Sequence, residues 1–445
     1  MIGYALIVVA ILLLVAILVE PKIGAVLVWP IVFLYPHLYM QRLNLLPWNM
    51  GIDDLFICVF FLIVVVRSNI LGRTRLRFGL AGIGVTTYFI IWTVANLSGW
   101  SMMPELLPVQ IVKEILKCVI FVLFTYCLVH TIDTVRDLRR VVYVFVIVLT
   151  LAGMTAILHQ LMPQYFIIFT SEKLEAQWWY GGVVTRAMGS LVNHNIGSVL
   201  LGMVFLFVTC MLRSQPVGIK KLVLFACLPV LFIAVVMMES RAGALSLIAA
   251  LLTMAFVGRH KRHAWLLVIA ACPLIFWQRE LFLGLWERIR DTITGGEWSA
   301  GAAGRIQAWI DYYETATAQV WILGQGFNVG VFRVGLHAHN VLISALFVHG
   351  ICGLIWACAF FGTIVRRSWW MVRNAGEPYR TIASGVLWGL LAWGIGGLTL
   401  DTLYDPNSRY VYFFFAVLVE RGFALARETQ ATHPRQQEAG AECDR

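Results

Sequence analysis

The chain has 445 residues, of which 60% are hydrophobic and only 13% are charged, and its net charge is +10. Soluble globular proteins are less apolar than this, so the composition predicts a polytopic helical membrane protein. In lipid, each helix satisfies its own backbone polar groups. The basic residues recur in short loops between apolar runs, so the positive charge does not call for a nucleic-acid partner.

Apolar runs follow one another along most of the chain, and about 20 apolar residues suffice for one helical crossing. Pro21, Pro30 and Pro36 interrupt the first two runs, so we expect these runs to form one broken crossing. The total is then twelve transmembrane helices, or thirteen if the two runs cross separately. The runs are 1–19, 22–40, 52–66, 79–98, 110–129, 141–162, 195–212, 221–238, 242–258, 264–278, 341–365, 381–400 and 410–425.

The expected fold class is therefore all-α, with a single transmembrane domain over 1–426. The segment 427–445 is polar, and we expect it to be a disordered cytoplasmic tail. The nine cysteines show no CxxC spacing, and we interpret them as small apolar residues rather than as disulfides or metal ligands.

Basic clusters distinguish the two sides of the membrane, because loops rich in arginine and lysine stay in the cytoplasm. The longer outer loops are then 99–109, 163–192, 279–339 and 401–409. The basic clusters are Arg67/Arg73/Arg75/Arg77, Arg136/Arg139/Arg140, Arg213/Lys220/Lys221, Arg259/Lys261/Arg262 and Arg366/Arg367/Arg373/Arg380.

The outer loop 279–339 is too long for a simple turn. Its apolar residues fall at helical spacing in two stretches, which predicts two amphipathic helices at the outer surface. They either rest on lipid headgroups or form a lid over the bundle. The two predicted faces are Phe282/Leu285/Trp286/Ile289/Ile293 and Ile306/Trp309/Ile310/Tyr313.

Arginines are unexpected in outer loops, yet Arg186, Arg241, Arg288, Arg290 and Arg305 lie there. Arg241 stands between two apolar runs with almost no loop, so its charge lies at or below the interface. An ion pair with Glu239 or a headgroup contact would explain it. We favour an anion site, because the planar arginine fork suits phosphate better than lysine does.

Two histidine-containing stretches adjoin the outer ends of apolar runs. In Asn193-His194-Asn195 an asparagine is expected to cap a helix, and Asn195 with Arg186 is a candidate contact for sugar or phosphate. His337-Ala-His339-Asn340 precedes the run 341–365, and a neutral imidazole there is suited to deprotonate a hydroxyl group. Metal binding is the rival, but no HExxH motif or paired carboxylate supports it, so we expect a site without metal or cofactor.

Arginines and a general base on the outer face suit a donor that carries its own leaving group, because no nucleotide is available there. A lipid-linked pyrophosphate sugar is such a donor. The arginines would neutralise its pyrophosphate, and the histidine would activate the acceptor hydroxyl.

These motifs resemble those of the bacterial O-antigen ligase family, within the O-antigen ligase and polymerase superfamily. His339-Asn340-x9-Gly350 is similar to the family's His-[Asn/Ser/Gln]-x9-Gly motif. Arg241-Ala-Gly-Ala-Leu245 is similar to its Arg-x3-Leu motif. The large outer loop before the histidine and the twelve spans also fit, and the resemblance covers most of 140–400.

The resemblance implies an inner-membrane glycosyltransferase whose active site faces the periplasm. It would transfer polysaccharide from undecaprenyl pyrophosphate to lipid A–core, with inversion and without metal or ATP. His339 takes the catalytic position and Arg241 a pyrophosphate-binding one. By placement, Arg186, Arg288 and Arg305 would bind the donor. His337, Asn340, Asn195 and Gly350 would support the site.

The acceptor stays open, because Trp29-Pro30 and Pro36-His37 are similar to a region of exosortase-associated O-glycosylation ligases. An O-antigen polymerase or a protein O-glycosylation ligase is therefore an alternative. A transporter for an anion or lipid is a further alternative. It would place charges near the membrane midplane and show internal repeats, which the sequence does not show.

Overall fold

The computed structural model describes residues 13–34, 51–70, 79–104, 108–162, 177–179, 182–184, 189–191, 193–256, 265, 302–326, 329 and 339–443. For the two short strands and for some residues at helix ends, Arg241 and Arg305 among them, it describes the backbone only. The helices in chain order are α1 (Pro21–Phe33), α2 (Ile52–Ile70), α3 (Leu80–Met102), α4 (Pro108–Thr131), α5 (Val135–Leu161), α6 (His194–Ser214), α7 (Ile219–Met237), α8 (Arg241–Phe256), α9 (Ala302–Glu314), α10 (Ala318–Leu323), α11 (Val341–Asn374), α12 (Tyr379–Gly397) and α13 (Pro406–Cys443).

The described chain is helical apart from one small hairpin and a 3₁₀ turn at Gly189–Leu191. The hairpin pairs β1 (Gln177–Trp179) antiparallel with β2 (Gly182–Val184). The predicted all-α fold class is confirmed for the described residues, apart from this hairpin. The hairpin lies in a segment where we predicted only a loop.

Five described helices, α3, α5, α6, α7 and α11, are long and apolar enough to cross a membrane. The chain is thus a helical protein of membrane type, and the total of twelve crossings stays a prediction. α6 lies at the centre, packed between α7, α8 and α12. It is buried along nearly its whole length, because it is apolar on every face.

The predicted interruption at Pro21 is confirmed, whereas the prediction that the first two runs form one crossing is not tested. The helix over 13–19 ends before Glu20, and α1 starts with Pro21 at its first position. Proline suits this position, because it has no backbone N–H and the N–H of a first helical residue has no acceptor within the helix. The expected interruption at Pro30 is wrong, because α1 continues through it to Phe33. Pro36 lies outside the described residues.

The prediction of a disordered tail is wrong for 427–443. α13 continues without a break from Pro406 to Cys443. The tail is rich in alanine, glutamate, glutamine and arginine, which are strong helix formers. Extending an existing helix also avoids the cost of nucleating a new one.

The basic clusters described by the structure gather at one end of the bundle. Arg421 in α13 donates from Nε to the Ile132 carbonyl between α4 and α5, at 2.6 Å. Gln430 donates to the carbonyl of Asn374 at the end of α11, at 2.8 Å. Lys220 at the start of α7 lies over the Tyr143 ring of α5. The basic residues of 136–140, 213–221 and 366–380 therefore share this end, as the positive-inside pattern requires.

Candidate functional site

Several helices begin together at the end opposite the basic clusters. A Cβ atom at Gly243, in the first turn of α8, would overlap Ser198 in the first turn of α6. A Cβ at Gly396, near the end of α12, would lie 2.7 Å from a methyl carbon of Val199. The starts of α6 and α8 and the end of α12 are thus at one level. The helices can approach this closely because Gly243 and Gly396 have no side chains.

The start of α11 joins the same level. A Cβ at Gly397 would lie 3.1 Å from a methyl carbon of Val341. α13 begins there as well, since Asn407 donates to the Leu191 carbonyl just before α6, at 3.2 Å. Four helix N-termini, those of α6, α8, α11 and α13, therefore lie on one side and contribute partial positive charge there. Side-chain oxygens of their capping residues already accept several of the first N–H groups.

His339 lies immediately before α11 in an unusual backbone conformation, with a φ of 46°. Positive φ is uncommon outside glycine and tends to persist where surrounding contacts hold it. The contact here is Asp401, whose Oδ2 accepts the His339 backbone N–H at 3.1 Å. The other oxygen, Oδ1, accepts the hydroxyl of Ser344. The Asp401 carboxylate thus fixes His339 against the first turn of α11.

Asn340 is the N-cap of α11. Its Oδ1 accepts the N–H groups of Leu342 and Ile343 at 2.9 and 3.1 Å, and its Nδ2 donates to the Leu398 carbonyl at 3.0 Å. The residue after the histidine therefore joins the start of α11 to the end of α12. Its contacts are those of a structural support.

The cap of α6 is Asn193, whose Oδ1 accepts the N–H groups of Asn195 and Ile196 at 3.0 and 3.2 Å. The predicted asparagine cap is confirmed at Asn193. Asn195 lies in the first turn of α6, at the same end as the start of α8. Its role toward sugar or phosphate stays a prediction.

Gly350 interrupts α11, with φ 68° and ψ −171°. The break prevents the regular helical bonds to the carbonyls of Phe347 and Val348. These carbonyls instead accept the N–H groups of Gln325 and Gly326 at 3.2 and 3.0 Å. The segment 324–326 therefore inserts against the break, and a Cβ at Gly350 would lie 2.7 Å from the Gly324 nitrogen. This close approach explains why a glycine stands ten residues after Asn340.

α9 confirms the second predicted amphipathic helix, and whether its apolar face rests on lipid headgroups or forms a lid stays a prediction. Ile310 and Tyr313 are 43% and 65% exposed, whereas Ala308 and Tyr312 are buried. Tyr312 packs on Phe347 of α11, with ring centroids 5.8 Å apart. Trp309 of the predicted apolar face packs against the same cluster, so the helix docks through both residues.

Tyr312 also lies in the electrostatic field of the site. Burial, assisted by the nearby Asp401 carboxylate, raises the pKa of the Tyr312 phenol above its ordinary value. The phenol is thus a neutral group beside Asp401 at neutral pH. Tyr312 of α9 therefore lies near the carboxylate that binds the His339 backbone.

The structure describes only part of the predicted donor-binding set. Arg186, Arg288, Arg290 and His337 lie outside the described residues, as does the predicted amphipathic face at 282–293. Arg241 is placed at the first position of α8, at the site end, and Arg305 in the first turn of α9, both by backbone only. Among the described residues no group of three histidine, cysteine or acidic side chains is suited to hold a metal ion.

Sequence reasoning missed Asp401 and Ser344. Asp401 stands 62 residues after His339, and spacing cannot reveal a contact over that distance. The sequence gives one sign of its role, because Asp401 lies in a predicted outer loop, shortly after a span that ends at Gly396-Gly397.

No family model matches the sequence, and a search of curated proteins finds no match.

Proposed function

We propose that the chain is an inverting membrane glycosyltransferase of the O-antigen ligase type. It would transfer a glycan from undecaprenyl pyrophosphate to a hydroxyl of lipid A–core on the outer, periplasmic face of the inner membrane. The observation that carries the proposal is the placement of His339, held by Asp401 amid four helix N-termini and at the end of the bundle opposite the basic clusters.

In this proposal His339 accepts the proton of the acceptor hydroxyl. The acceptor oxygen forms a bond to the anomeric carbon while the bond from that carbon to the pyrophosphate oxygen breaks. The leaving pyrophosphate takes the bonding electron pair, so negative charge develops on it. General-base assistance of this kind contributes typically about 10²–10⁴-fold to a rate.

The surroundings of His339 would stabilise the negative charge that develops on the leaving pyrophosphate. Helix N-termini stabilise phosphate groups through their partial positive charge. Arg241 is the first residue of one of these helices, and the planar guanidinium of an arginine can donate to two phosphate oxygens at once. In the proposal Arg186, Arg288 and Arg305 complete the donor site, and neither a metal ion nor ATP takes part.

The test is the lipopolysaccharide profile of cells with and without the gene, with the wild-type gene restored on a plasmid as control. A ligase predicts that all long chains disappear from lipid A–core and return on complementation. Attachment of a single repeat would instead indicate a polymerase. An unchanged lipopolysaccharide profile together with loss of glycans from proteins would indicate a protein O-glycosylation ligase. A wholly unchanged profile would refute a role in glycan transfer.

The break in α11 at Gly350 bears on the transporter alternative. Broken helices often bind substrates or ions in transporters, and α11 is broken at Gly350. The carbonyls that the break frees, however, already accept hydrogen bonds from Gln325 and Gly326. The break thus favours anchoring of the segment 324–326 over ion coordination. Substrate flux into liposomes that contain the purified protein would support the transporter.

A further inference from the structure

A second polar cluster lies below the site, in the interior of the bundle. Trp92 of α3, His349 of α11 and Arg409 of α13 are 0%, 1% and 2% exposed. The guanidinium carbon of Arg409 lies 4.2 Å from the centre of the Trp92 ring, and the His349 ring lies 4.9 Å from it. The Trp92 ring thus contacts both a histidine ring, at an interplanar angle of 51°, and a guanidinium group, and the three residues lie on three different helices.

Arg409 carries a buried charge and forms no salt bridge with a carboxylate of the described chain, although Asp405 and Glu114 act on it from beyond salt-bridge distance. Its closest polar contact is from Nη1 to the Cys118 sulfur at 4.0 Å, and its Nε has no hydrogen-bond partner among the described residues. Asp405, one turn earlier, uses its Oδ1 to accept the N–H of Ser408 at 3.0 Å. Burial raises the pKa of the Asp405 carboxyl and so weakens it as a counter-charge. An unpaired charge in such an interior costs several kcal/mol on the order-of-magnitude scale for buried ions.

The neighbouring unpaired groups are also donors. Trp92 Nε1 and His349 Nε2 are buried and have no partner among the described residues. His349 Nδ1 lies 3.1 Å from the Tyr404 hydroxyl. When that hydroxyl donates to Nδ1, the proton of the neutral ring is on Nε2. An indole, an imidazole and a guanidinium then all require an acceptor, and one of them is cationic.

The segment 324–326 covers this cluster from the site end. Gly326 donates to the carbonyl of Val348, next to His349, at 3.0 Å. Asn96 lies one turn from Trp92, and a Cβ at Gly326 would lie 2.9 Å from its Cα atom. The cluster is thereby closed off from the outer surface.

We infer that Trp92, His349 and Arg409 form an internal binding site for one small inorganic anion of the halide class. A single halide ion accepts several N–H donors at once and neutralises the guanidinium. Water would accept the same hydrogen bonds but would leave the charge uncompensated. The site is independent of the proposed glycan transfer, because none of its three residues belongs to the His339 site.

The experiment measures ³⁶Cl⁻ binding to the purified full-length protein, with gluconate replacing chloride at constant ionic strength. Wild type should bind about one chloride per chain. Its melting temperature should rise with chloride concentration as mass action requires for a ligand of the folded state. Arg409→Gln should abolish both effects.

The matched control is Arg421→Gln. Arg421 is a buried arginine on the same helix, but it donates to the Ile132 carbonyl and pairs with Asp133 at 3.8 Å. This variant should bind chloride as wild type does. Trp92→Phe keeps the ring and removes one N–H donor, so it should raise the chloride Kd roughly 10-fold, the scale of one hydrogen bond to an ion.

Absence of chloride binding by wild type would overturn the inference and assign the cluster to water. Binding that survives unchanged in Arg409→Gln, or a Kd that does not move in Trp92→Phe, would also overturn it. If Arg409→Gln does not fold, Trp92→Phe decides the question.

Discussion

Replacement of Gly350 with alanine tests how the break in α11 is held. The backbone there has φ 68°, in the region that favours glycine, and the peptide of 322–324 passes against the Cα atom. An alanine Cβ would lie 2.7 Å from the Gly324 nitrogen and would meet the Ile322 carbonyl group. These obstacles are backbone atoms, so no side-chain rotation relieves the overlap.

The expected cost has two parts. A non-glycine residue at such a backbone conformation costs roughly 1–3 kcal/mol, and inserting a methyl group into a packed region costs roughly 1–3 kcal/mol more. The sum, about 2–6 kcal/mol, is a large part of the typical net stability of about 5–15 kcal/mol. Gly350→Ala should therefore either unfold at clearly lower temperature or displace the segment 324–326.

The same helix supplies the control. Gly362 has no heavy atom within 4 Å of a Cβ at its position, so Gly362→Ala should be neutral or should stabilise by up to about 1 kcal/mol, the alanine–glycine difference in helices. Thermal unfolding of the purified variants gives the comparison. Cysteine labelling at Gln325 reports displacement of the inserted segment. If Gly350→Ala matches Gly362→Ala in both assays, the break is not held by the contacts described above.

Three further predictions concern the reaction. Asp401→Asn should lower kcat about 10-fold or more with little change in KM, because it weakens charge-assisted bonds that position His339, and an equal loss in kcat and affinity would contradict a positioning role. Arg241→Lys and Arg241→Ala should both be severely impaired in transfer assays, because lysine lacks the planar fork. Wild-type activity of Arg241→Lys would reduce this residue to a headgroup charge. Transfer should continue in excess EDTA, whereas a loss that Mg²⁺ or Mn²⁺ restores would reveal a metal site built from separate aspartates.

The positions of many helices were predictable because a membrane span must be apolar over its whole length. The runs 195–212 and 221–238 match α6 and α7 within two residues at each end. The end of the tail was mispredicted because polarity was read as disorder, although its residues favour helix and extend α13. Amino-acid composition thus predicts which segments lie in lipid better than it predicts whether a polar segment is helical or disordered.

The candidate site was predictable only in its local parts. Asn193 is the cap that its position before an apolar run predicts. The role of Asp401 depends on the docking of α12 against α11, which no local pattern encodes. The contact between Tyr312 of α9 and Phe347 of α11 likewise depends on how two distant helices dock, which no local pattern encodes.

The most direct test of the account is glycan transfer by the purified protein in lipid nanodiscs, supplied with a polyprenyl-pyrophosphate-linked glycan and lipid A–core. Wild type should form the product, and His339→Ala should lower turnover by roughly 10²–10⁴-fold, the scale of general-base catalysis, with unchanged expression and melting temperature. Full turnover in His339→Ala would contradict the role of His339 as the general base, and no transfer by wild type with either a lipid or a protein acceptor would contradict glycan transfer itself.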